Sequence, residues 1–144
     1  MGIELMGKVL VSAKIENLKD LYLAEQGIIP HSQVRSVEVH DALVDSGATM
    51  LSLPKRLIEQ LGLGPVRTRQ ARTAAGTITV QIYSATRLTI QGRDCLSDVS
   101  ELPDDCPALI GQVPLEILDF VVDLAGQRLI GNPAHGGEQM LEIY

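Results

Sequence analysis

Over Val9–Glu16, apolar Val9, Val11, Ala13 and Ile15 alternate with Leu10, Ser12, Lys14 and Glu16. Apart from Leu10 the period is two, which predicts a strand with one buried face. The alternation breaks over Asn17–Ile29. There Leu18, Leu21 and Tyr22 share a helical face, Asn17 suits the cap and Gly27 the stop, so a short helix or a compact loop is expected. Strand character returns over Val34–Val44: Val37 and Val39 alternate with Ser36, Glu38 and His40, and Ala42-Leu43-Val44 is wholly apolar. A half-buried strand that turns fully apolar is entering the core. Met50–Leu53 predicts another strand. Pro54 is expected to open a helix with Leu57, Ile58 and Leu61 buried and Gly62 at its end.

Arg67–Tyr83 reads as a hairpin, with Ile78, Val80 and Ile82 alternating with Thr77, Thr79 and Gln81 and a turn at Ala74-Ala75-Gly76. Leu88–Ile90 and Asp94–Val99 predict two more strands about Gln91-Gly92, and Pro103–Pro107 a loop. Ala108–Gly111 is a short apolar run ending in glycine, and Pro114–Leu118 a short helix. Val121-Val122 and Arg128–Ile130 predict a hairpin, with Asp123-Leu124-Ala125-Gly126 as its turn. Gln139–Tyr144 is expected to form a last strand.

The 144 residues point to a single domain, here 1–144, with a core over 8–130 and a tail over 131–144. Apolar residues make up 45%, enough to exclude a disordered chain. With no Trp and one Phe, the core must be aliphatic. A net charge of −6 argues against a nucleic-acid partner. The densest basic cluster, Arg67, Arg69 and Arg72, reads as a solvated strand face. Cys95 and Cys106 read as free thiols in a reducing compartment. His31, His40, His135 and the two cysteines lack metal-ligand spacing, so no metal or other cofactor is expected, and His135 reads as a loop residue. No apolar run reaches the ~20 residues of a membrane helix. No membrane association and a cytoplasmic location are expected.

Asp45 needs a reason, because a carboxylate between two apolar strands is costly unless it is paired or used. Ser46 and Gly47 after it make a tight turn. Leu43-Val44-Asp45-Ser46-Gly47-Ala48-Thr49 resembles the active-site loop of the retroviral-type (retropepsin-like) aspartic proteases. Leu109-Ile110-Gly111, followed by a short helix, resembles that family's second motif. Both occur once and in the expected order, and the resemblance extends over roughly Lys8 to Ile130, as in a bacterial-type single-domain member.

The resemblance implies a mainly β, closed barrel-like fold with one or two short helices. It implies an aspartic endopeptidase in which Asp45 is catalytic and Ser46, Gly47, Ala48 and Thr49 support it. Leu109, Ile110 and Gly111 would pack on the loop. The hairpin with Ala74, Ala75 and Gly76 at its tip would be a flap over a peptide or protein substrate. Two carboxylates must share a proton, one acting as base on water and the other as acid. Asp41, four residues from Asp45, lies about 13 Å off along a strand and cannot be the second acid. The chain holds one Asp-Ser-Gly, so the partner acid must be Asp45 of a second chain in a homodimer. Ser46 would then bond across the two-fold axis, the Gly47 carbonyl would bind substrate, and the tail would serve an intersubunit sheet.

Pepsin-like enzymes carry a hydroxyl where this chain has Ala48, so a mildly acidic optimum is expected. Retroviral enzymes commonly pair an acid and an arginine where this chain has Thr49 and Gln112, and a neutral hydrogen bond is the expected substitute. The insertion at Asn17–Ile29 is expected to cover one end of the barrel rather than border the cleft. The competing reading is a catalytically silent peptide-binding or dimerisation module on the same fold.

Overall fold

The computed structural model describes residues 8–143. In chain order it contains β1 (Val9–Asn17), α1 (Leu18–Glu25), β2 (Ser36–Val44), β3 (Leu51–Pro54), α2 (Lys55–Leu61), β4 (Pro65–Thr73), β5 (Gly76–Ile90), β6 (Arg93–Leu102), β7 (Leu109–Ile110), α3 (Gln112–Leu118), β8 (Phe120–Asp123) and β9 (Arg128–Gly131). Short 3-10 turns lie at His31–Gln33 and Pro133–His135.

The alternation of β1 is realised as expected, with Val9, Val11, Ala13 and Ile15 buried and Leu10 outward. Asn17 caps α1, its side chain accepting from the Asp20 amide at 3.0 Å. The Asp20 carboxylate then takes a two-pronged ion pair from Arg35, Nε to Oδ2 at 2.8 Å and Nη2 to Oδ1 at 3.0 Å. The Arg35 guanidinium holds the Asp20 carboxyl below its ordinary range. This pair fastens the Asn17–Ile29 insertion to the start of β2. The helix borders a hollow with Gly62, Gly64 and Ser84, away from the Asp45 loop. Pro54 ends β3 and stands at the cap of α2 rather than inside it, and Gly62 closes α2 in the left-handed region at φ 64.

Seven strands form one mixed sheet in the order β1-β2-β7-β3-β6-β5-β4, and β8-β9 form a separate hairpin. The expected closed barrel with one or two short helices is corrected to a mainly β sheet with three α-helices and no closed barrel. β1 does reach β5, but only from Lys14↔Thr89 to Asn17↔Thr86. β4 pairs with β5 alone and ends the strand order with a free edge. The physical reason lies in the β4–β5 hairpin, whose outer arms are exposed on both faces. An arm with no second apolar layer projects from a sheet instead of closing it. The second arm of the hairpin expected at Arg67–Tyr83 and the strand expected at Leu88–Ile90 also prove continuous, because β5 runs unbroken for 15 residues. Its register with β6 shifts between Tyr83 and Thr86, so the polar Ser84-Ala85 stretch is a bulge rather than a break. No strand forms over 138–143 within the chain, and Tyr144 lies outside the described residues.

The core is aliphatic, as composition requires. Ile15, Leu51, Leu53, Leu61, Leu88, Ile110 and Leu118 are fully buried within it. Cys95 and Cys106 are free, and burial pushes the Cys95 thiol up to about 11. Among the described residues no helix is long and apolar enough to cross a membrane.

Candidate active site

The Asp45 loop is held by backbone on both sides. The end of β2 runs parallel to β7, with Leu43 opposite Leu109 and Val44 opposite Ile110. The Leu43 amide donates to the Ala108 carbonyl at 2.8 Å and the Asp45 amide to the Ile110 carbonyl at 3.0 Å. β7 also pairs with β3 on its other side, Ser52 opposite Leu109. The chain therefore leaves β2 at Asp45, turns, and returns as β3 with β7 threaded between the two. Apolar Ala42-Leu43-Val44 and Leu51–Leu53 bury the flanks, and the polar loop is left at their exit.

Within the turn, the Gly47 amide donates to Asp45 Oδ1 at 2.9 Å and the Ala48 amide to the Asp45 carbonyl at 3.0 Å. A carboxylate bonded to the amide two residues on is a self-made turn. The same loop caps α3: the Gln112 and Val113 amides donate to the Ala48 and Thr49 carbonyls at 2.8 and 2.9 Å. First-turn amides lack partners inside a helix, so the loop supplies them.

Gly111 is set by space rather than conformation. Its φ of −88 is open to any residue. A Cβ there would stand 2.6 Å from both the Met50 nitrogen and oxygen and 2.7 Å from the Thr49 carbonyl carbon. Those are backbone atoms, which cannot swing aside as a side chain would. The short apolar pair followed by glycine thus lets two backbone segments cross in contact.

Asp45 is half-buried, and Ser46, Gly47 and Thr49 are exposed at the loop's tip. Among the described residues, the Gly47 amide is the one hydrogen-bond donor to the Asp45 carboxylate, and the Ser46 and Thr49 hydroxyls have no partner. The expected Thr49–Gln112 side-chain bond does not form within the chain. Gln112 Nε2 instead donates to Glu116 Oε1 at 2.9 Å, and backbone makes the link between the two segments.

The loop lies between two hollows. Gly47, Ala48, Thr49 and Met50 border a groove of about 460 Å³ whose other wall is the β4–β5 hairpin. Ser46 borders a second hollow of about 500 Å³ with Val9, Leu115, Phe120 and Asn132. The hairpin turns at Ala74-Ala75-Gly76, as expected. Thr73 Oγ1 donates to the Gly76 carbonyl at 2.8 Å and accepts from the Ala75 amide at 3.2 Å. Gly76 has φ 119, a backbone angle few other residues tolerate. At the groove's base, Ser52 and Ser100 hydroxyls lie 2.5 Å apart and the Tyr83 hydroxyl donates to Glu101 at 2.5 Å. That carboxylate, with burial, pushes the Tyr83 phenol up to about 12.

Two features escape the reading of the sequence. The basic cluster lies on an exposed strand face, as expected, but its members differ in surroundings: Arg67 pairs with Asp98 at 3.3 Å, while Arg69 and Arg72 border the groove. The strand alternation held the signal, since Arg69 falls in register with Val80. The other feature is a corner built on Asp119, which had no mark in the sequence beyond following a helix. Asp119 closes α3 in the left-handed region at φ 59. Its carboxylate receives the Asn132 side chain at 3.2 Å, His135 Nδ1 at 2.6 Å and the Met140 amide at 3.0 Å. The other imidazole nitrogen meets Glu142 at 2.7 Å. His135 does lie in a short turn, but one fastened at both ends.

The strand-threaded loop carrying Asp45 and the glycine crossing both lie in the stretch that matches a domain of the retropepsin-like, aspartic protease superfamily. A family model described as gag-polyprotein putative aspartyl protease matches residues 32–116, more than half of the chain, and the chain belongs to that family. No curated protein matches it.

Proposed function

We propose that the chain is an aspartic endopeptidase that works as a homodimer, with one Asp45 from each copy activating water against an extended peptide. The observation that carries this reading is the state of Asp45. Its carboxylate is half-buried at the start of a backbone-paired loop and, among the described residues, has one hydrogen-bond donor. Two such groups brought together across a two-fold axis share a proton, because neighbouring like charges cannot both ionise. One is then a base toward water and the other an acid toward the scissile carbonyl. Ser46, exposed and unbonded among the described residues, fits a bond between the two loops, and the unbonded Thr49 hydroxyl would pair with Gln112 of the other chain only if Gln112 leaves Glu116. The Gly47 carbonyl and the amides of the hairpin tip would hold the substrate backbone as an added strand. Ala48 cannot donate to the carboxylate, which favours a mildly acidic optimum.

The test is hydrolysis of an unfolded protein from mildly acidic to neutral pH by the wild type and by Asp45→Asn. Activity is expected in the first and at least a thousandfold less in the second, with wild-type specific activity falling on dilution as dimers dissociate. Equal activity in both would discard the mechanism. Absence of activity in both, with a dimer present by sedimentation, would shift the assignment to a silent peptide-binding module.

A further inference from the structure

The groove beside the Asp45 loop is apolar along much of its length, yet one wall carries cations. In the β4–β5 register Arg69 stands opposite Val80, between the pairs Arg67↔Ile82 and Ala71↔Ile78. Directly paired residues share a sheet face, so Arg69 lies on the face of Ile78, Val80 and Ile82. Those three, and Arg69, border the groove across from Gly47–Met50. Arg67 is paired with Asp98, and Glu101 at the groove's base accepts from the Tyr83 hydroxyl and remains the one carboxylate among the described residues bordering the groove, against two guanidinium groups. Arg72 also borders the groove, nearer the tip, where it stands opposite Thr77. Among the described residues neither Arg69 nor Arg72 has a carboxylate partner. A guanidinium beside an apolar groove is a fork for a carboxylate.

We infer that the groove selects extended peptides carrying an acidic side chain near the bond over the Asp45 loop, with Arg69 as the residue that reads it. This rests on the protease reading for the meaning of the groove, but its recognition step needs no catalysis. A substrate strand lying between the loop and the hairpin alternates its side chains between the two walls. Those facing the hairpin meet Ile78 and Val80 or the Arg69 head. An acid at one such position and aliphatic residues at its neighbours satisfy both, and a lysine there is repelled. Arg72 adds field near the tip without sharing the Arg69 face.

The experiment uses the full chain carrying Asp45→Asn, which cannot turn over its ligand. Two fluorophore-labelled octapeptides of alternating threonine and alanine are compared by anisotropy at low salt, one with a central glutamate and one with glutamine in its place. The glutamate peptide is expected to bind about tenfold more tightly, in line with one charge-assisted contact. Adding Arg69→Gln should remove that preference, while adding Arg67→Gln, which touches the Asp98 pair outside the groove, should preserve it. Equal affinities, no binding of either peptide, or a preference that survives Arg69→Gln would overturn the inference. So would a preference lost equally with Arg67→Gln, since that would report only overall charge. Hydrolysis by the wild type is read separately. Cleavage without glutamate selectivity in binding sinks this inference and keeps the protease. Selectivity without cleavage does the reverse.

Discussion

Asp45 and Asp119 are both carboxylates where an apolar element gives way to a turn, and the chain treats them in opposite ways. Asp119 is buried and receives three donors, one each from Asn132, His135 and Met140. Asp45 is half-buried and, among the described residues, receives one, from the glycine two residues on. Backbone pairing carries most of the Asp45 loop, and its side chain adds only the bond from the Gly47 amide. At Asp119 the side chain is itself the fastening, drawing Asn132 after β9 and Met140 in the tail to the end of α3. Arg93 reinforces that corner, donating to the Leu118 and Asp119 carbonyls at 3.0 and 2.8 Å while its guanidinium lies 4.6 Å from the Phe120 ring. Among the described residues the Asp119 carboxylate is occupied by three donors, whereas that of Asp45 accepts one and keeps most of its lone pairs open. The family match covers Asp45 and Gly111 and ends at residue 116, before Asp119. The fastening at Asp119 thus belongs to the part of this chain outside the matched region.

The largest effect is expected where the Asp45 loop depends on backbone contact. Gly111→Ala places a methyl group 2.6 Å from Met50 backbone atoms. Relief requires moving β7, the loop or the start of α3, and overpacking of this kind costs about 3 kcal/mol. Chemical denaturation should show that loss, and hydrolysis should fall with it because the Asp45 loop is displaced. A Gly111→Ala protein of wild-type stability and activity would mean that side chains, not the crossing, position the loop.

A smaller effect, and one that depends on pH, is expected at the Asp119 corner. Both imidazole nitrogens of His135 face carboxylates, which requires the doubly protonated ring if both bonds are to form. Glu142 and Asp119 accordingly raise the His135 pKa above 6.5, while His135 holds the Asp119 carboxyl below 3.8. A raised histidine contributes fully below its unfolded value of 6.5 and loses that contribution as pH climbs through the folded value. A lowered carboxyl contributes above 3.8 and loses its contribution as pH falls through the folded value. His135→Gln should therefore lower Tm most between those limits, with the gap to wild type narrowing above pH 6.5 and again in strong acid. A gap that stays constant to pH 9 would show that packing, not charge, makes the corner.

The two regions also differ in how plainly the sequence announces them. The Asp45 loop is legible because its determinants are local: an apolar run, an acid, a small turn, then another apolar run. Its partner Leu109-Ile110-Gly111 lies far along the chain, but as a short apolar pair stopped by glycine it is recognisable by itself. The β1 alternation, the Asn17 cap and the Gly62 stop are legible for the same reason. The Asp119 corner is not, because its donors come from 13, 16 and 21 residues away and none falls on a periodic pattern. The unbroken β5 escaped because a bulge at Ser84-Ala85 looks like a loop to any test of alternation. Barrel closure escaped because it depends on which strand edges meet. Alternation reports the faces of a strand and is silent about its edges, so the free edge of β4 left no trace.

The smallest effect on folding is expected at Asp45, the residue proposed above to carry the chemistry. Asp45→Asn keeps an oxygen where the Gly47 amide donates, keeps the size of the side chain, and disturbs no other hydrogen bond among the described residues. Substitutions that spare such features change stability by about 0.5 kcal/mol or less. Thermal unfolding of this variant should therefore nearly superimpose on that of the wild type at concentrations where both are monomeric. A loss of more than about 1 kcal/mol would place Asp45 with Asp119 among the carboxylates that hold the fold. The contrast between a positioned acid and a fastening acid would then fail, and with it the main physical reason for assigning catalysis to this loop.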